Sequence, residues 1–134
     1  MITVKPDLLY SKSNEWAEKI GDFIRIGIDD YSQSSLGDIV HIELLAPETY
    51  VKAGNSFGHI EATKSVTDII APVSGIILKI NNSVLTSPDL INYDPYGSGW
   101  LIEMKPDNIS ELDKLMNSNS YKNYIFNDSN SRFN

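Results

Sequence analysis

The chain has 134 residues, which suits one domain rather than two, since domains typically have about 100–150 residues. Its 18 Asp and Glu residues outnumber its 11 Lys and Arg residues, so the net charge is −7 and no nucleic-acid partner is expected. The absence of cysteine excludes disulfides, thiolate metal sites and thiol nucleophiles. No apolar run approaches the ~18–20 residues that cross a bilayer, so we expect a soluble, cytoplasmic protein without a membrane partner.

Short apolar runs separated by turn residues predict a mainly β chain. Alternating or β-branched residues predict strands at 23–28, 39–44, 57–61, 66–70, 75–80 and 100–104. Asp29 or Asp30 can cap a short helix near 29–36, and Gly37 suits its left-handed end. A C-terminal helix is predicted over 110–116, which 121–126 extend or follow. This pattern is typical of a β-sandwich or barrel.

The composition changes near the C-terminus. Asn and Ser supply 10 of the 18 residues from Asn117 onward, which is typical of a segment that frays. The sequence therefore predicts a single domain over residues 1–126 and a frayed tail over residues 127–134.

Little in the sequence is typical of a catalytic centre. His41 and His59 lack the spacing of metal ligands, so we interpret them as structural or surface histidines and expect no metal site. Gly97-Ser98-Gly99 leads into a predicted strand rather than a helix, which favours a turn over a phosphate cradle. Since no nucleophile is accompanied by a base and an orienting group, we expect a chain with no catalytic residues of its own.

Lys64 stands between two predicted strands, in the bend Ala62-Thr63-Lys64-Ser65. The bend lacks the Asn-Gly or Asp-Gly pair of the easiest two-residue hairpin. A lysine at this place extends an amine into solvent on a four-carbon stem, where another protein can acylate it. On spacing alone, a solvated turn lysine is the simpler interpretation.

Motifs spread over residues 7–126 match one family. They are Tyr10-Ser-Lys-Ser-Asn-Glu15-Trp16, Ile26-Gly27-Ile28-Asp29-Asp30-Tyr31, Leu36-Gly37-Asp38-Ile39-Val40, Val51-Lys52-Ala53-Gly54, Glu61-x-x-Lys64-Ser65-Val66, Ala71-Pro72-Val73-Ser74-Gly75 and Asn92-Tyr93-Asp94-Pro95-Tyr96-Gly97-Ser98-Gly99-Trp100-Leu101-Ile102. With these motifs the chain resembles the H proteins of the glycine cleavage system. The resemblance implies a lipoyl/biotinyl-like flattened β-barrel or sandwich. Asn14 and Tyr93 stand where the family more often has His and Glu, and Ala62-Thr63 replaces a commoner Ser-Val.

The same resemblance implies a role for the lysine. Lys64 would carry lipoate in amide linkage, as the swinging arm of a non-catalytic carrier in glycine catabolism and one-carbon metabolism. Glu61 and Asp68 would help the lipoate-attaching enzyme to recognise the hairpin, with two solvated carboxylates as the alternative. We further expect a cleft lined by residues such as Ile28, Ile60 and Trp100 to shelter the arm.

The resemblance also implies partners. Glycine decarboxylase (P protein) would load an aminomethyl group onto the arm, and aminomethyltransferase (T protein) would release ammonia and take the one-carbon unit. Dihydrolipoamide dehydrogenase (L protein) would then reoxidise the arm. The acidic surface favours encounters with basic patches on these enzymes, and we expect the chain itself to be a monomer.

Three alternatives stay open at this point. The chain could relay lipoate to 2-oxoacid dehydrogenases or carry it in another pathway, such as sulfur metabolism. It could carry biotin, although biotin carriers usually have Met on both sides of the lysine, where this chain has Thr63 and Ser65. It could also be an unmodified β-rich interaction module.

Overall fold

The computed structural model of the chain describes the backbone of residues 1–132 and the side chains of residues 1–127. In these residues the strands form two antiparallel sheets. The six-stranded sheet has the spatial order β1-β2-β3-β9-β8-β5, with β1 at Leu9–Tyr10, β2 at Glu15–Ile20, β3 at Phe23–Ile28, β5 at Tyr50–Val51, β8 at Gly75–Ile80 and β9 at Ile102–Pro106. The three-stranded sheet has the order β4-β6-β7, with β4 at Ile39–Leu44, β6 at Ser56–Ala62 and β7 at Val66–Ile70.

Three short helices connect strands: α1 at Asp30–Leu36, α2 at Asn82–Thr86 and α3 at Leu90–Tyr93. A 3₁₀ helix at Ile109–Lys114 and the longer α4 at Ser118–Arg132 follow the last strand. The Asp29 side chain caps α1 by accepting a 2.8 Å hydrogen bond from the Ser32 amide. Gly37 ends the helix with φ +78°, a value that L side chains rarely adopt. The predicted helix near 29–36 is therefore confirmed.

The C-terminal part contains two helical segments rather than one. Asn108 caps the 3₁₀ helix, because its side-chain oxygen accepts a 3.0 Å hydrogen bond from the Ser110 amide. A short connection then leads into α4, which confirms the predicted C-terminal helix. The predicted tail over residues 127–134 begins inside α4, and its residues 133–134 lie outside the described part. Fraying of this segment and the domain limit at residue 126 stay predictions.

One apolar core joins the two sheets. It takes buried side chains from the large sheet, such as Ile24 and Met104, and from the small sheet, such as Ile42 and Ile69. The alternating sequences of the strands place these residues on one face of each sheet. The predicted mainly β fold, a sandwich of two sheets with few helices, is thus confirmed.

A second, aromatic cluster attaches α4 to the first strands. The rings of Tyr10 and Tyr121 stack with their centroids 4.5 Å apart, and both are fully buried. Trp16 is buried beside them, and its indole N–H donates a 3.0 Å hydrogen bond to the Pro95 carbonyl. A Cβ at Gly27 would lie 2.6 Å from the indole nitrogen, so the large ring at position 16 requires glycine opposite it.

Candidate functional site: the Lys64 hairpin

The β6–β7 hairpin displays Lys64 at its tip. Glu61 and Val66 are the last paired residues, and the Ala62 amide donates a 2.8 Å hydrogen bond to the Ser65 carbonyl. Thr63 and Lys64 are therefore the two central residues of the turn. The side chain of Lys64 is exposed, and no described residue forms an ion pair with it.

The turn between β6 and β7 is not one of the two types that favour a two-residue hairpin. Among the described residues other than glycine, a positive φ occurs at Asn14 and Glu48, and hence at neither Thr63 nor Lys64. The turns that match the twist of two strands, types I′ and II′, require positive φ at one or both central residues. The turn therefore does not require Asn or Gly at either central position. Other side chains, including lysine, can occupy both positions without backbone strain.

Contacts from the preceding chain segment hold the tip. The Thr63 amide donates a 3.1 Å hydrogen bond to the carbonyl of Asp38, which lies between α1 and β4. The next residue, Ile39, donates its amide to Asn92 Oδ1 at 3.0 Å, and Asn92 Nδ2 donates to the Gly37 carbonyl at 2.9 Å. The backbone of the tip is thus attached to the segment after α1, and through it to α3, while the lysine amine stays free.

Glu61 and Asp68 lie on the outer face of the small sheet. Asp68 is opposite His59, and His59 is two residues from Glu61, so all three side chains share a face. Asp68 is exposed and Glu61 is half-buried, and neither forms an ion pair within the described part of the chain. The structure therefore leaves both carboxylates accessible on the hairpin that carries the lysine, and their role in recognition stays a prediction.

The two histidines extend this outer face on β4 and β6. His59 Nε2 lies 3.1 Å from Glu43 Oε2, and His41 Nε2 lies 3.7 Å from the other oxygen of the same carboxylate. Both imidazoles are thus surface groups paired with one exposed glutamate. Over residues 1–132 no group of three or more His, Asp or Glu side chains could hold a metal ion.

A buried carboxylate, Glu15, lies at the other end of β7 from the lysine. Its Oε1 accepts a 2.7 Å hydrogen bond from the Ser11 hydroxyl and another from Ser13, and its Oε2 accepts from the Ile70 amide at 3.1 Å. Burial raises the pKa of Glu15 to about 7, although these hydrogen bonds favour the ionised form. Sequence reasoning missed this group, because a glutamate among serines is typical of a surface.

Asp29 is a second buried carboxylate near Glu15. Its Oδ1 caps α1, whereas its Oδ2 has no hydrogen-bond partner among the described residues. Burial raises the pKa of Asp29 to about 6, and the nearby Tyr121 hydroxyl and the hydrogen bond from the Ser32 amide oppose the rise. The expected capping role is confirmed. The sequence did not predict that the capping carboxylate is fully buried.

The expected cleft for the arm is wrong in two of its three residues. Ile28 and Ile60 are only 3% and 1% exposed and belong to the core between the sheets, so they offer no surface to an arm. Trp100 is half-buried, and the guanidinium of Arg25 lies over its ring at 4.9 Å. The alternation of Ile60 with His59 and Glu61 already places this isoleucine on the inner face of its strand, opposite the side on which an arm could lie.

Gly75 fixes the strand that follows the hairpin. A Cβ at this residue would collide with the Lys105 carbonyl, so glycine permits the close approach of β8 to β9. Pro72 precedes it in the turn after β7. The close approach of β8 to β9 is therefore the physical reason for glycine at position 75.

None of the helices over residues 1–132 combines the length and the apolar composition that spanning a membrane requires.

The predicted turn at Gly97-Ser98-Gly99 is confirmed, because these residues follow α3 as a turn and not as a helix start.

Comparison with known proteins identifies the family. Residues 8–128 match the family model described as glycine cleavage H-protein. A glycine cleavage system H protein of Carboxydothermus hydrogenoformans is 44% identical over 125 residues, which cover 93% of this chain and 96% of that protein. The corresponding protein of Thermus thermophilus is 38% identical over 122 residues, covering 91% and 95%.

A solved structure agrees with these sequence matches. The crystal structure of a glycine cleavage system H protein from Mycobacterium marinum superposes with a TM-score of 0.81 at 35% identity. The superposition covers 88% of this chain and 95% of that one. The family resemblance read from the motifs is therefore confirmed, and the chain belongs to the glycine cleavage H-protein family.

Proposed function

We propose that Lys64 carries a lipoyl group in amide linkage and that the chain acts through this group as a carrier without catalytic residues of its own. The observation that carries the proposal is the position of Lys64. It is exposed and is one of the two central residues of the turn, and the Thr63 amide beside it is hydrogen-bonded to the Asp38 carbonyl. The tip therefore fits an attached group that has to extend away from the protein.

Membership of the family supports a lipoyl-carrier function in the glycine cleavage system. The bound group supplies a disulfide that can be opened and closed again. Since the chain has no cysteine, its own side chains cannot supply thiol–disulfide chemistry. The residues present thus fit a carrier in which the bound group supplies the reactive sulfur atoms and the protein positions that group.

Attachment requires only acyl transfer to the amine. The neutral Lys64 Nζ attacks the carbonyl carbon of lipoate activated as an acyl phosphate anhydride or a thioester. A C–N bond forms, the C–O or C–S bond to the leaving group breaks, and the amine loses a proton, without oxidation or reduction. Since no described residue pairs with Lys64, nothing in the fold has to be displaced before the amine reacts.

The partners follow from this role as part of the same proposal. They are glycine decarboxylase, aminomethyltransferase, dihydrolipoamide dehydrogenase and a lipoate-attaching enzyme. The net charge of −7 favours encounter with basic surfaces on these enzymes. We place the protein in the cytoplasm as a monomer, and we assign Glu61 and Asp68 to recognition by the attaching enzyme because both are accessible on the hairpin that carries the lysine.

Lysine-to-arginine variants test the proposal. The test compares the wild type, Lys64→Arg and Lys52→Arg, a matched control at another exposed lysine. Each protein is incubated with lipoate, ATP and a lipoate ligase, and its mass is then measured by mass spectrometry. We expect the wild type and the control to gain one lipoyl group and to support glycine–bicarbonate exchange by glycine decarboxylase. Lys64→Arg should do neither, because a guanidinium does not accept the acyl group.

Two results would contradict the proposal in different ways. Lipoylation of Lys64→Arg would move the attachment site to another residue. Full lipoylation of the wild type without glycine-dependent exchange would instead assign the arm to a lipoate relay or to another pathway.

A further inference from the structure

A few large apolar side chains are far more exposed than the rest. Apart from Met1, the four most exposed in the described part of the chain are Tyr93 at 81%, Val66 at 65%, Phe126 at 63% and Val40 at 60%. Single exposed apolar residues are ordinary, whereas a concentration of them marks a binding surface.

Three of these four are the neighbours in sequence of residues that form the Lys64 turn or the hydrogen bonds attached to it. Val66 follows the turn directly, and Val40 and Tyr93 each follow a residue of the Ile39–Asn92 hydrogen bond. The same segment accepts the Thr63 amide through Asp38. We call Val40, Val66 and Tyr93 the tip surface. The fourth residue, Phe126, lies on α4, in the other part of the molecule.

The position of the tip surface restricts what can cover it. An enzyme that uses the finished arm reacts at the sulfur end of the arm, a full arm's length from the backbone of the tip. An enzyme that acylates Lys64 has to bring its catalytic groups to Nζ itself, no farther from the backbone than a four-carbon stem allows. That enzyme therefore has to cover the residues around the turn.

We propose that the tip surface is the docking site of the enzyme that acylates Lys64, with Tyr93 as its main anchor. This inference rests on the proposed function. A tyrosine is the residue type that most often dominates binding energy at an interface, because it buries a large ring with few rotatable bonds. The exposed or half-buried carboxylates nearby, Asp38, Glu61 and Asp68, complement an enzyme surface with an apolar centre and a basic rim.

The initial rate of acylation tests the inference. Tyr93→Ser and Val40→Thr are compared with two exposed apolar controls away from the tip, Phe126→Ser and Ile76→Thr. The assay uses the lipoate ligase of the same organism with lipoate and ATP, and thermal unfolding verifies each variant. We expect kcat/KM to fall about tenfold for Tyr93→Ser, mostly through KM, and less for Val40→Thr. Both controls should stay within about twofold of wild type.

The outcomes separate this inference from the proposed function. If Tyr93→Ser and Val40→Thr are acylated at the wild-type rate while Lys64→Arg is not acylated, the docking site is wrong and the attachment site stands. If the wild type is not acylated at Lys64, the proposed function fails first.

Other occupants of the tip surface give their own results, each of which overturns the inference. Unchanged acylation, together with a raised KM of glycine decarboxylase for lipoylated Tyr93→Ser, would assign the surface to that enzyme. A wild type that dimerises in sedimentation, beside a monomeric Tyr93→Ser variant acylated at the wild-type rate, would assign it to a second copy of the chain.

Discussion

The β2–β3 hairpin and the β6–β7 hairpin are both antiparallel pairs with two-residue turns, yet they are stabilised differently. In the first, Gly21 has φ +61°, the sign that a type II′ turn needs at its first central residue, and the strands pair over their full length. In the second, Thr63 and Lys64 lack this conformation, and the tip depends on a hydrogen bond to Asp38. One hairpin is set by local turn chemistry and the other by a contact from elsewhere in the chain.

The side chains of the two hairpins differ in the same way. β2 contributes two buried side chains, Glu15 and Trp16. Trp16 belongs to the aromatic cluster that packs α4 against the first strands, so disrupting β2 would disrupt that cluster. The tip of β6–β7 leaves Lys64 exposed and displays Val66. We infer that the first hairpin contributes stability and the second contributes function, so substitutions in the two should affect different measurements.

The largest stability effect is expected in the first hairpin. Trp16→Ala removes a fully buried ring and its hydrogen bond to the Pro95 carbonyl, and should lower the free energy of unfolding by about 3–5 kcal/mol. Urea denaturation measures this, while acylation of the still-folded fraction at Lys64 should continue. A loss below about 1 kcal/mol would contradict the role assigned to the aromatic cluster.

A smaller, pH-dependent effect is expected from Glu15. Because its folded-state pKa of about 7 lies above the ordinary 4.5, the folded protein binds more protons than the unfolded chain between these values. The free energy of unfolding should therefore fall as pH rises from about 4.5 to about 7, by no more than about 3 kcal/mol for this group. Asp29, with a pKa raised to about 6, acts in the same direction at somewhat lower pH.

Glu15→Gln isolates the contribution of this group. The glutamine oxygen can accept from the Ile70 amide while its NH₂ donates to the serine hydroxyls, so the hydrogen bonds are retained without the charge. Urea denaturation across this pH range should then show a flatter pH dependence than in the wild type. Equal slopes for the two proteins would show that Glu15 does not titrate as described.

The smallest stability effects are expected at the Lys64 tip. Lys64→Arg and Tyr93→Ser change exposed side chains, so each should stay within about 0.5 kcal/mol of the wild type in urea denaturation. A larger loss in either would show that the tip also supports the fold, and the contrast between the hairpins would not hold.

The sequence predicted the elements whose residues alternate clearly. The strands at 23–28, 39–44, 66–70 and 75–80 have the predicted bounds, whereas the strand predicted at 100–104 runs from Ile102 to Pro106. β2 was not predicted, because Glu15, Glu18 and Lys19 hide its alternation and its burial depends on pairing with β3. The short helices α2 and α3 contain too few residues for a helical period to be visible.

The site was predictable in part for the same reason. Lys64 could be placed at a bend from its flanking strands, and the motifs gave it a chemical role. The Thr63–Asp38 and Ile39–Asn92 hydrogen bonds join segments far apart in sequence, so no local pattern reveals them. The burial of Glu15 is also a tertiary property, since its carboxylate accepts from the amide of Ile70, 55 residues away in sequence.

Mass spectrometry of the protein isolated from its own cell tests the central claim most directly. The intact mass and a peptide map are measured without added ligase, so that the modification is the one the cell makes. We predict an increase equal to lipoic acid less one water, located on the peptide that contains Lys64. A Lys64 that is always unmodified, that carries biotin, or that stays bare while another lysine is lipoylated would contradict the claim.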